Sequence, residues 1–252
     1  MSSCTGGSGA APSRPTSDLE RESRPCPPAW ACRRPASVVI SSEATDAAPK
    51  PGHVFRDVVA AVGVMVMAAG HISGGFFNPA VTIAMGVTRK IDWYGAGVYI
   101  AAQLLGAVAA CLVLLATFPE AMRDAVNLGV PAVGGGYSTG NALVAEIVAT
   151  FFLLFVIFGV AVDQRSAKGL GGLVIGLTIS MGIFATGAIG GAALNPARWF
   201  GPALVGGEFD DFWIWIVGPI VGAVVAALIF DEVLMVDEEL PEGGSPQLRR
   251  RR

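Results

Sequence analysis

The sequence has little charge, almost no histidine and no group of residues that would support enzyme chemistry. Charged residues make up 15% of its 252 residues, and two residues are histidines. Three of its four cysteines lie within 1–52, and the fourth, Cys111, lies in an apolar stretch, at no spacing typical of a metal site. No acid–base cluster, phosphate-binding loop or pair of nucleophile and base is recognisable. We therefore predict that the protein is not an enzyme and has no cofactor, no metal and no nucleic acid partner.

Apolar residues are what the sequence contains instead, and they occur in long runs. Hydrophobic residues make up 53% of the chain, and the mean hydropathy is +0.59. An uncharged apolar run of about 18 residues or more is typical of a transmembrane helix. The uncharged runs are 93–118, 147–162, 169–197 and 212–230. We expect an integral membrane protein with spanning helices near 54–72, 93–117, 142–163, 169–189 and 211–232.

The two ends of the chain differ from this apolar middle part. Residues 1–52 are rich in Pro, Ser, Ala and Arg, contain no run long enough to span a bilayer and lack the order of a signal peptide. We predict that they are disordered. The predicted organisation is a disordered tail at 1–52, a membrane domain at 53–236 and a polar tail at 237–252.

Two stretches of the chain resemble each other closely. They read "HISGGFFNPAVT" at 71–82 and "IGGAALNPARWFGP" at 189–202, and their asparagines, Asn78 and Asn195, are 117 residues apart. Asn is a good helix N-cap, and Pro is favoured at the first helical position because its missing N–H would be unpaired there. Each Asn-Pro-Ala therefore predicts the start of a short helix.

The repetition extends beyond these motifs, since "QLLGAVAA" at 103–110 recurs as "PIVGAVVAA" at 219–227. The order of helix, Asn-Pro-Ala loop and helix thus occurs twice. An odd number of spans per repeat would invert the second copy, so that the two short helices enter from opposite faces and meet at mid-membrane. Their positive ends would oppose cations, and backbone carbonyls of the preceding glycines would face a lumen. Such a lumen suits neutral molecules that both donate and accept hydrogen bonds.

The first repeat has no counterpart of the helix that opens the second. That helix, near 142–163, carries Glu146, and the spacing places its counterpart at 25–45, where four prolines and an Arg-Arg pair exclude a bilayer-spanning helix. We expect that the first helix of the first repeat is absent from this chain. Because 1–52 has the composition of GC-rich DNA read in the wrong frame, we also expect another frame to encode an apolar helix with a glutamate near its start.

The distribution of charge between the apolar runs predicts an orientation. Basic residues are concentrated in alternate connections, which contain Arg89 and Lys90, then Arg165 and Lys168, and finally the arginines of 249–252. The connections between them are poor in Lys and Arg. The positive-inside rule places these basic segments, and with them the C-terminus, in the cytoplasm. The basic N-terminal tail would then lie outside, and an absent first helix explains that conflict.

Three motifs make the chain resemble the major intrinsic protein family, the aquaporins and aquaglyceroporins, over roughly 55–235. They are HISGG-x-x-NPAVT at 71–82, AE-x-x-x-TF-x-L at 145–153 and NPAR-x-FGPAL at 195–204. The resemblance implies an all-α membrane protein with an aquaporin-like inverted repeat, two NPA half-helices and six spans, of which five are visible here. It also implies a homotetramer, multi-pass in the cell (plasma) membrane, with one pore per subunit that passes water and small neutral solutes passively.

The resemblance also assigns roles to individual residues. The pore motifs are Asn78, Pro79, Ala80, Asn195, Pro196 and Ala197. The selectivity filter consists of Arg198, Ile183, Ala192 and Val58. The backbone that lines the pore belongs to Gly74, Gly75, Phe76, Gly191 and Ala193. Glu146 is expected to brace the second loop through its backbone N–H groups.

The filter residues that the resemblance assigns predict the range of solutes. Ile183 and Ala192 stand where strict water channels hold His and Cys or Thr, which implies a wider and less polar gate, similar to that of plant tonoplast members. We expect passage of water together with small neutral solutes such as ammonia, urea or glycerol. Two alternatives stay open: a glycerol-type facilitator, and a truncated family member that inserts into the bilayer without conducting.

Overall fold

The computed structural model describes residues 59–166, 169–235, 237–239 and 247–249. The predictions for the tail at 1–52 and for Val58 in the filter lie outside these residues, as does most of the predicted polar tail. The domain boundaries therefore remain predictions.

The described part of the chain is helical almost throughout. Its α-helices are α1 Val64–Ser73, α2 Pro79–Val87, α3 Trp93–Thr117, α4 Glu120–Asp124, α5 Thr139–Ile157, α6 Gly171–Gly190, α7 Pro196–Gly206 and α8 Ile214–Ile229. Turns of π type precede α1 at Val59–Gly63 and extend α5 at Phe158–Val162 and α8 at Phe230–Leu234. A short 3₁₀ turn spans Asn127–Gly129.

Four helices of the described residues are long and apolar enough to cross a membrane. They are Trp93–Thr117, Thr139–Val162, Gly171–Gly190 and Ile214–Leu234. The shortest has 20 residues, which at 1.5 Å per residue matches a hydrocarbon core of about 30 Å. They confirm the helices expected near 93–117, 142–163, 169–189 and 211–232. The first expected span, 54–72, is described only from Val59, and its apolar part, Ala61–Ser73, is shorter than a crossing requires.

The two short helices α2 and α7 begin at the Asn-Pro-Ala motifs. They contain 9 and 11 residues, and at 1.5 Å per residue each reaches only about half of a bilayer core. Asn78 and Asn195 are their N-caps, both in extended conformation, and a proline follows each asparagine at the start of the helix. The local chemistry of the sequence alone therefore fixes where these helices start.

Helix α5 forms the centre of the packed core, against α8 on one side and α6 on another. Its approach to α8 is close because α8 presents glycines to it: a Cβ on Gly218 would lie 2.8 Å from the Cβ of Glu146. Leu153, Leu154 and Phe158 fill the apolar core next to this crossing, together with alanines of α8. This packing holds Glu146 at a fixed height along α5.

Helix α3 is much less covered than α5. It packs against α7 and α2, and the described residues bury only Ala96 and Cys111 of its 25 residues. Apolar side chains such as Leu105, which is 72% exposed, face outward. The two strands of the described chain, β1 Asp237–Glu239 and β2 Gln247–Arg249, pair antiparallel. The sequence analysis did not predict them, because polar strands of three residues carry no apolar alternation.

Candidate pore site

Each motif asparagine forms a side-chain hydrogen bond with the loop that carries the other asparagine. Asn78 Oδ1 accepts from the N–H of Ala80 at 2.9 Å, and Asn78 Nδ2 donates to the carbonyl of Leu194 at 2.7 Å. Asn195 repeats this pattern: its Oδ1 accepts from Ala197 N–H at 2.9 Å and its Nδ2 donates to the carbonyl of Phe77 at 3.0 Å. Each side chain thus caps its own helix and holds the residue that precedes the other asparagine.

The loops before the two asparagines start in the same way. The glycines after α1 and α6, Gly74 and Gly191, have φ of +73° and +76° and donate their N–H groups to Gly70 O and Gly187 O. These values lie in the left-handed region, where glycine adds no steric cost. The second loop then continues through Ala192 and Leu194, whose φ values of +46° and +53° are unusual for residues with a side chain. This loop needs an external restraint.

Glu146 supplies that restraint from helix α5. Its Oε1 accepts from the N–H of Ala193 at 2.7 Å and its Oε2 accepts from the N–H of Leu194 at 2.8 Å. The side chain is 1% exposed, and hydrogen bonds to an ionised carboxylate in such a site are among the stronger ones in proteins. The bracing contact expected from the sequence is present in the structure, with both carboxylate oxygens used.

The first loop is held by neutral side chains of α3. Tyr99 Oη donates to the carbonyl of Ser73 at 2.8 Å, and Gln103 Nε2 donates to the carbonyl of Phe76 and to Thr82 Oγ1, both at 2.8 Å. Sequence reasoning did not single out Tyr99 or Gln103. The signal that could have found Tyr99 is its position 116 residues before Trp215, whose Nε1 donates to the carbonyl of Gly190 at 2.8 Å.

Arg198, in the first turn of α7, reaches the loop that joins α4 to α5. Its Nη1 donates to the carbonyl of Gly129 at 2.8 Å. The 3₁₀ turn that presents this carbonyl contains Asn127 and Leu128 at φ of +45° and +50°. The guanidinium group remains exposed to the cavity described below. Sequence reasoning did not single out Gly129, since nothing in the sequence marks which carbonyl an arginine will meet. The filter role of Arg198 stays a prediction.

A cavity of about 450 Å³ runs beside the two asparagine loops. It is lined by Ser73, Phe76, Phe77, Tyr99, Ala102, Gln103, Gly106, Ala107, Asn195, Ala197 and Arg198. Three residues that the sequence assigned to the motif and filter, Asn195, Ala197 and Arg198, therefore line the same cavity. Ile183 and Ala192 do not line it; they pack in the apolar cluster with Phe76, and Ala192 is 3% exposed. Their filter role stays a prediction.

The buried hydrogen bond of Trp215 provides a test of how the loops are held. Replacing Trp215 with phenylalanine leaves the buried carbonyl of Gly190 unpaired, and we expect a loss of about 1–3 kcal/mol in the free energy of unfolding. Tyr99→Phe removes the equivalent bond to Ser73 O, which lies beside the cavity and can accept from water, so its cost is about 1 kcal/mol or less. Thermal unfolding of both variants in detergent measures the difference. Equal losses would contradict this account.

A bundle of long apolar helices that encloses two short, asparagine-capped helices joined at their tips defines an all-helical, multi-pass membrane protein. The model of the family described as "Major intrinsic protein" matches residues 36–230. The chain is 42% identical over 184 residues to the probable aquaporin NIP4-2 of Arabidopsis thaliana, which covers 72% of this chain and 62% of that protein. It is 41% identical over 192 residues to aquaporin TIP4-4 of Zea mays, which covers 75% and 72%. The chain belongs to the major intrinsic protein family.

A solved structure extends the comparison to the fold. The X-ray structure of the aquaglyceroporin from Plasmodium falciparum superposes with a TM-score of 0.63 at 26% identity, over 73% of this chain and 84% of that one. Members of the family are channels, which confirms the prediction that the protein is not an enzyme. The chain spans 62% of the length of NIP4-2.

Proposed function

We propose that this protein is a passive channel for water and small neutral solutes such as ammonia, urea and glycerol. The observation that carries the proposal is the reciprocal tie between the two asparagines, Asn78 to Leu194 O and Asn195 to Phe77 O. The tie brings together the N-termini of two helices, each too short to cross a bilayer. Entry of these half-helices from opposite faces, as an inverted repeat, then gives one continuous passage past the asparagines.

The electrostatics of this arrangement favour neutral solutes. The positive ends of two half-helices meet at the asparagines, and the fixed charge of Arg198 faces the same cavity. Together they oppose cations and protons, while the second Nδ2 hydrogen of Asn195 and the guanidinium N–H groups can donate to a passing solute. Ile183, Ala192 and Val58 complete an apolar filter in this proposal, and the apolar character of these side chains is what would admit solutes larger than water.

A shrinkage assay on proteoliposomes tests the proposal. Stopped-flow light scattering is expected to show faster water efflux than from empty vesicles, and uptake of glycerol, urea and ammonia above the same baseline. Water passage with glycerol excluded would contradict the wide filter. The poor coverage of α3 by the described residues favours the alternative of a non-conducting protein. Water efflux no faster than from empty vesicles would support that alternative.

The proposed filter makes a separate prediction for Ile183. Ile183→His adds a polar ring to the filter, so we expect glycerol uptake to fall several-fold while water efflux changes little. Ile183→Leu, which keeps an apolar side chain of the same size, is the matched control and is expected to leave both fluxes unchanged. Uptake and efflux measured on the same vesicles give the comparison. If the two variants behave alike, Ile183 lies outside the filter.

The assembly and location that go with this function are part of the same proposal. The proposed assembly is a homotetramer with one pore per subunit, in the plasma membrane and with a cytoplasmic C-terminus. Two features of the described chain support it. Apolar side chains such as Leu105 and Leu112 on α3 face outward, and the basic residues Arg89 and Lys90 lie at one end of the helices, where Lys90 pairs with Asp231 at 2.8 Å. Cross-linking in membranes measures the number of subunits. Protease access to a C-terminal tag measures the side of the membrane on which the C-terminus lies.

A further inference from the structure

Trp199 lies next to Arg198 in the first turn of α7. Its side chain is 3% exposed and does not line the cavity, whereas Arg198 is exposed and does. The backbone N–H of Trp199 donates to the carbonyl of Asn195 at 3.3 Å. This bond closes the helical turn that carries both Asn195 and Arg198. The position of Trp199 is therefore linked to the positions of two polar residues that face the cavity.

The indole ring of Trp199 lies in a cluster of aromatic side chains. Its centroid is between 6.1 and 6.5 Å from those of Phe200, Phe209, Phe212 and Trp215. The ring of Trp215 stacks on the indole with an interplanar angle of 12°, and the ring of Phe209 meets it edge-on at 78°. Stacked and edge-on pairs are the arrangements that aromatic rings prefer. The cluster therefore fixes the direction in which the Trp199 side chain leaves α7.

A second contact holds α7 from another direction. A Cβ on Gly201 would lie 2.6 Å from the carbonyl oxygen of Ala107, because α7 is packed directly against α3 at this glycine. Successive residues are about 100° apart around a helix, so Arg198 lies between the face of Gly201 and the face of Trp199. The two contacts together keep α7 from turning about its axis, and they keep the base of the Arg198 side chain in place.

The indole N–H of Trp199 plays no part in this arrangement. Its Nε1 is buried and has no hydrogen-bond partner among the residues that the structure describes, whereas Nε1 of Trp215 donates to the carbonyl of Gly190. What Trp199 contributes is therefore the area and shape of an aromatic ring. Replacing it with phenylalanine leaves no described acceptor unpaired, so the ring can be varied without breaking another hydrogen bond.

We propose that Trp199 is a positioning residue, whose ring keeps the guanidinium group of Arg198 at the carbonyl of Gly129 and thereby keeps the passage wide enough for glycerol. The effect on flux rests on the proposed function. If the first turn of α7 is free to move, the guanidinium leaves Gly129 and samples the cavity on its long, flexible side chain. A group that enters the passage hinders glycerol more than water, because glycerol is the larger molecule.

Chemical labelling of Arg198 tests the positioning role without any flux. The full chain is treated in detergent with phenylglyoxal, which adds to arginine side chains, and mass spectrometry measures the labelled fraction at each arginine. In Trp199→Leu, we expect labelling of Arg198 to rise about fivefold, which corresponds to a hydrogen bond of about 1 kcal/mol. Arg89 is the internal reference, because it is exposed and lies outside α7.

Three further variants separate positioning from a general loss of structure. Trp199→Phe keeps an aromatic ring in the cluster, and Arg198 is expected to be labelled as in the unmodified chain. Trp213→Leu is the matched control: Trp213 is 38% exposed and has no ring contact with Trp199 among the described residues, so labelling is expected to stay unchanged. Phe209→Ala removes one ring of the cluster from outside α7 and is expected to raise labelling about twofold. Thermal unfolding identifies folded variants, and Phe209→Ala decides if Trp199→Leu does not fold.

Flux measurements on the same variants test the effect on solute size. In proteoliposomes, we expect the ratio of glycerol uptake to water efflux to fall about fivefold in Trp199→Leu and to stay unchanged in Trp199→Phe and Trp213→Leu. Unchanged labelling of Arg198 in the folded variants, or an equal rise in Trp213→Leu, would overturn the positioning role. A constant flux ratio with increased labelling would overturn the effect on solute size. An unmodified chain without any flux would contradict the proposed function, and labelling would still decide the role of Trp199.

Discussion

Replacing Glu146 with glutamine is expected to abolish water conduction while the chain still inserts into the bilayer. The carboxylate accepts from Ala193 N–H and Leu194 N–H with its two oxygens. A glutamine retains one acceptor oxygen, and its amide group faces the other N–H with a donor. One buried N–H then loses its partner, which lowers the free energy of unfolding by about 1–3 kcal/mol. Left-handed φ values at Ala192 and Leu194 add strain of about 1–3 kcal/mol each that the loop can release by rearranging.

The measurement is osmotic shrinkage of proteoliposomes together with thermal unfolding in detergent. Glu120→Gln is the matched control, because Glu120 is an exposed carboxylate at the start of α4 and its neutralisation leaves the loop untouched. We expect the control to conduct like the unmodified chain. Conduction by Glu146→Gln at the unmodified rate would show that the carboxylate does not hold the second loop in its conducting form.

Replacing Arg198 with alanine is expected to admit cations and protons that the proposed channel excludes. The guanidinium group faces the cavity and is held there by its hydrogen bond to Gly129 O at 2.8 Å. At an effective dielectric constant of about 20, two unit charges about 4 Å apart repel each other by about 4 kcal/mol. Water and salt in the cavity screen part of this repulsion. We therefore expect proton flux to rise by about ten- to a hundredfold, with water flux retained.

A pH-sensitive dye inside the vesicles measures the proton flux. Arg198→Lys separates the effect of charge from that of shape, because it keeps the positive charge and lacks the planar group that reaches Gly129. It is expected to exclude protons nearly as well as the unmodified chain. Equal proton exclusion by Arg198→Ala and Arg198→Lys would show that the positive charge at this position does not exclude protons.

Local chemistry explains why much of this site could be predicted from the sequence. An asparagine followed by proline predicts a helix start wherever it occurs, and Asn78 and Asn195 are N-caps in the structure. Glu146 could be singled out because a carboxylate inside an apolar run requires a partner. The long uncharged runs predicted the positions of four spanning helices, since a bilayer requires about 20 apolar residues for each crossing.

Contacts between distant segments could not be predicted in the same way. The bonds from Tyr99 to Ser73 O and from Arg198 to Gly129 O join a side chain to a backbone carbonyl. Because every residue has a carbonyl, no sequence pattern identifies the acceptor. The cavity wall on α3 was missed for a similar reason: Gly106 and Gly222 stand in equivalent sequence surroundings, and only the packing shows that the described residues cover Gly222 and leave Gly106 uncovered.

By itself, the sequence determined that the protein lies in a membrane, where its long helices run and where its two short helices start. These properties depend on hydrophobic length and helix capping, both of which act between near neighbours in the chain. The tertiary structure alone decided that the asparagines hold each other's loops, that both oxygens of Glu146 are used, and which face of α3 the described residues leave uncovered. These features depend on how segments about 50 to 120 residues apart pack against each other, and packing is set by shape and direction in space rather than by order along the chain.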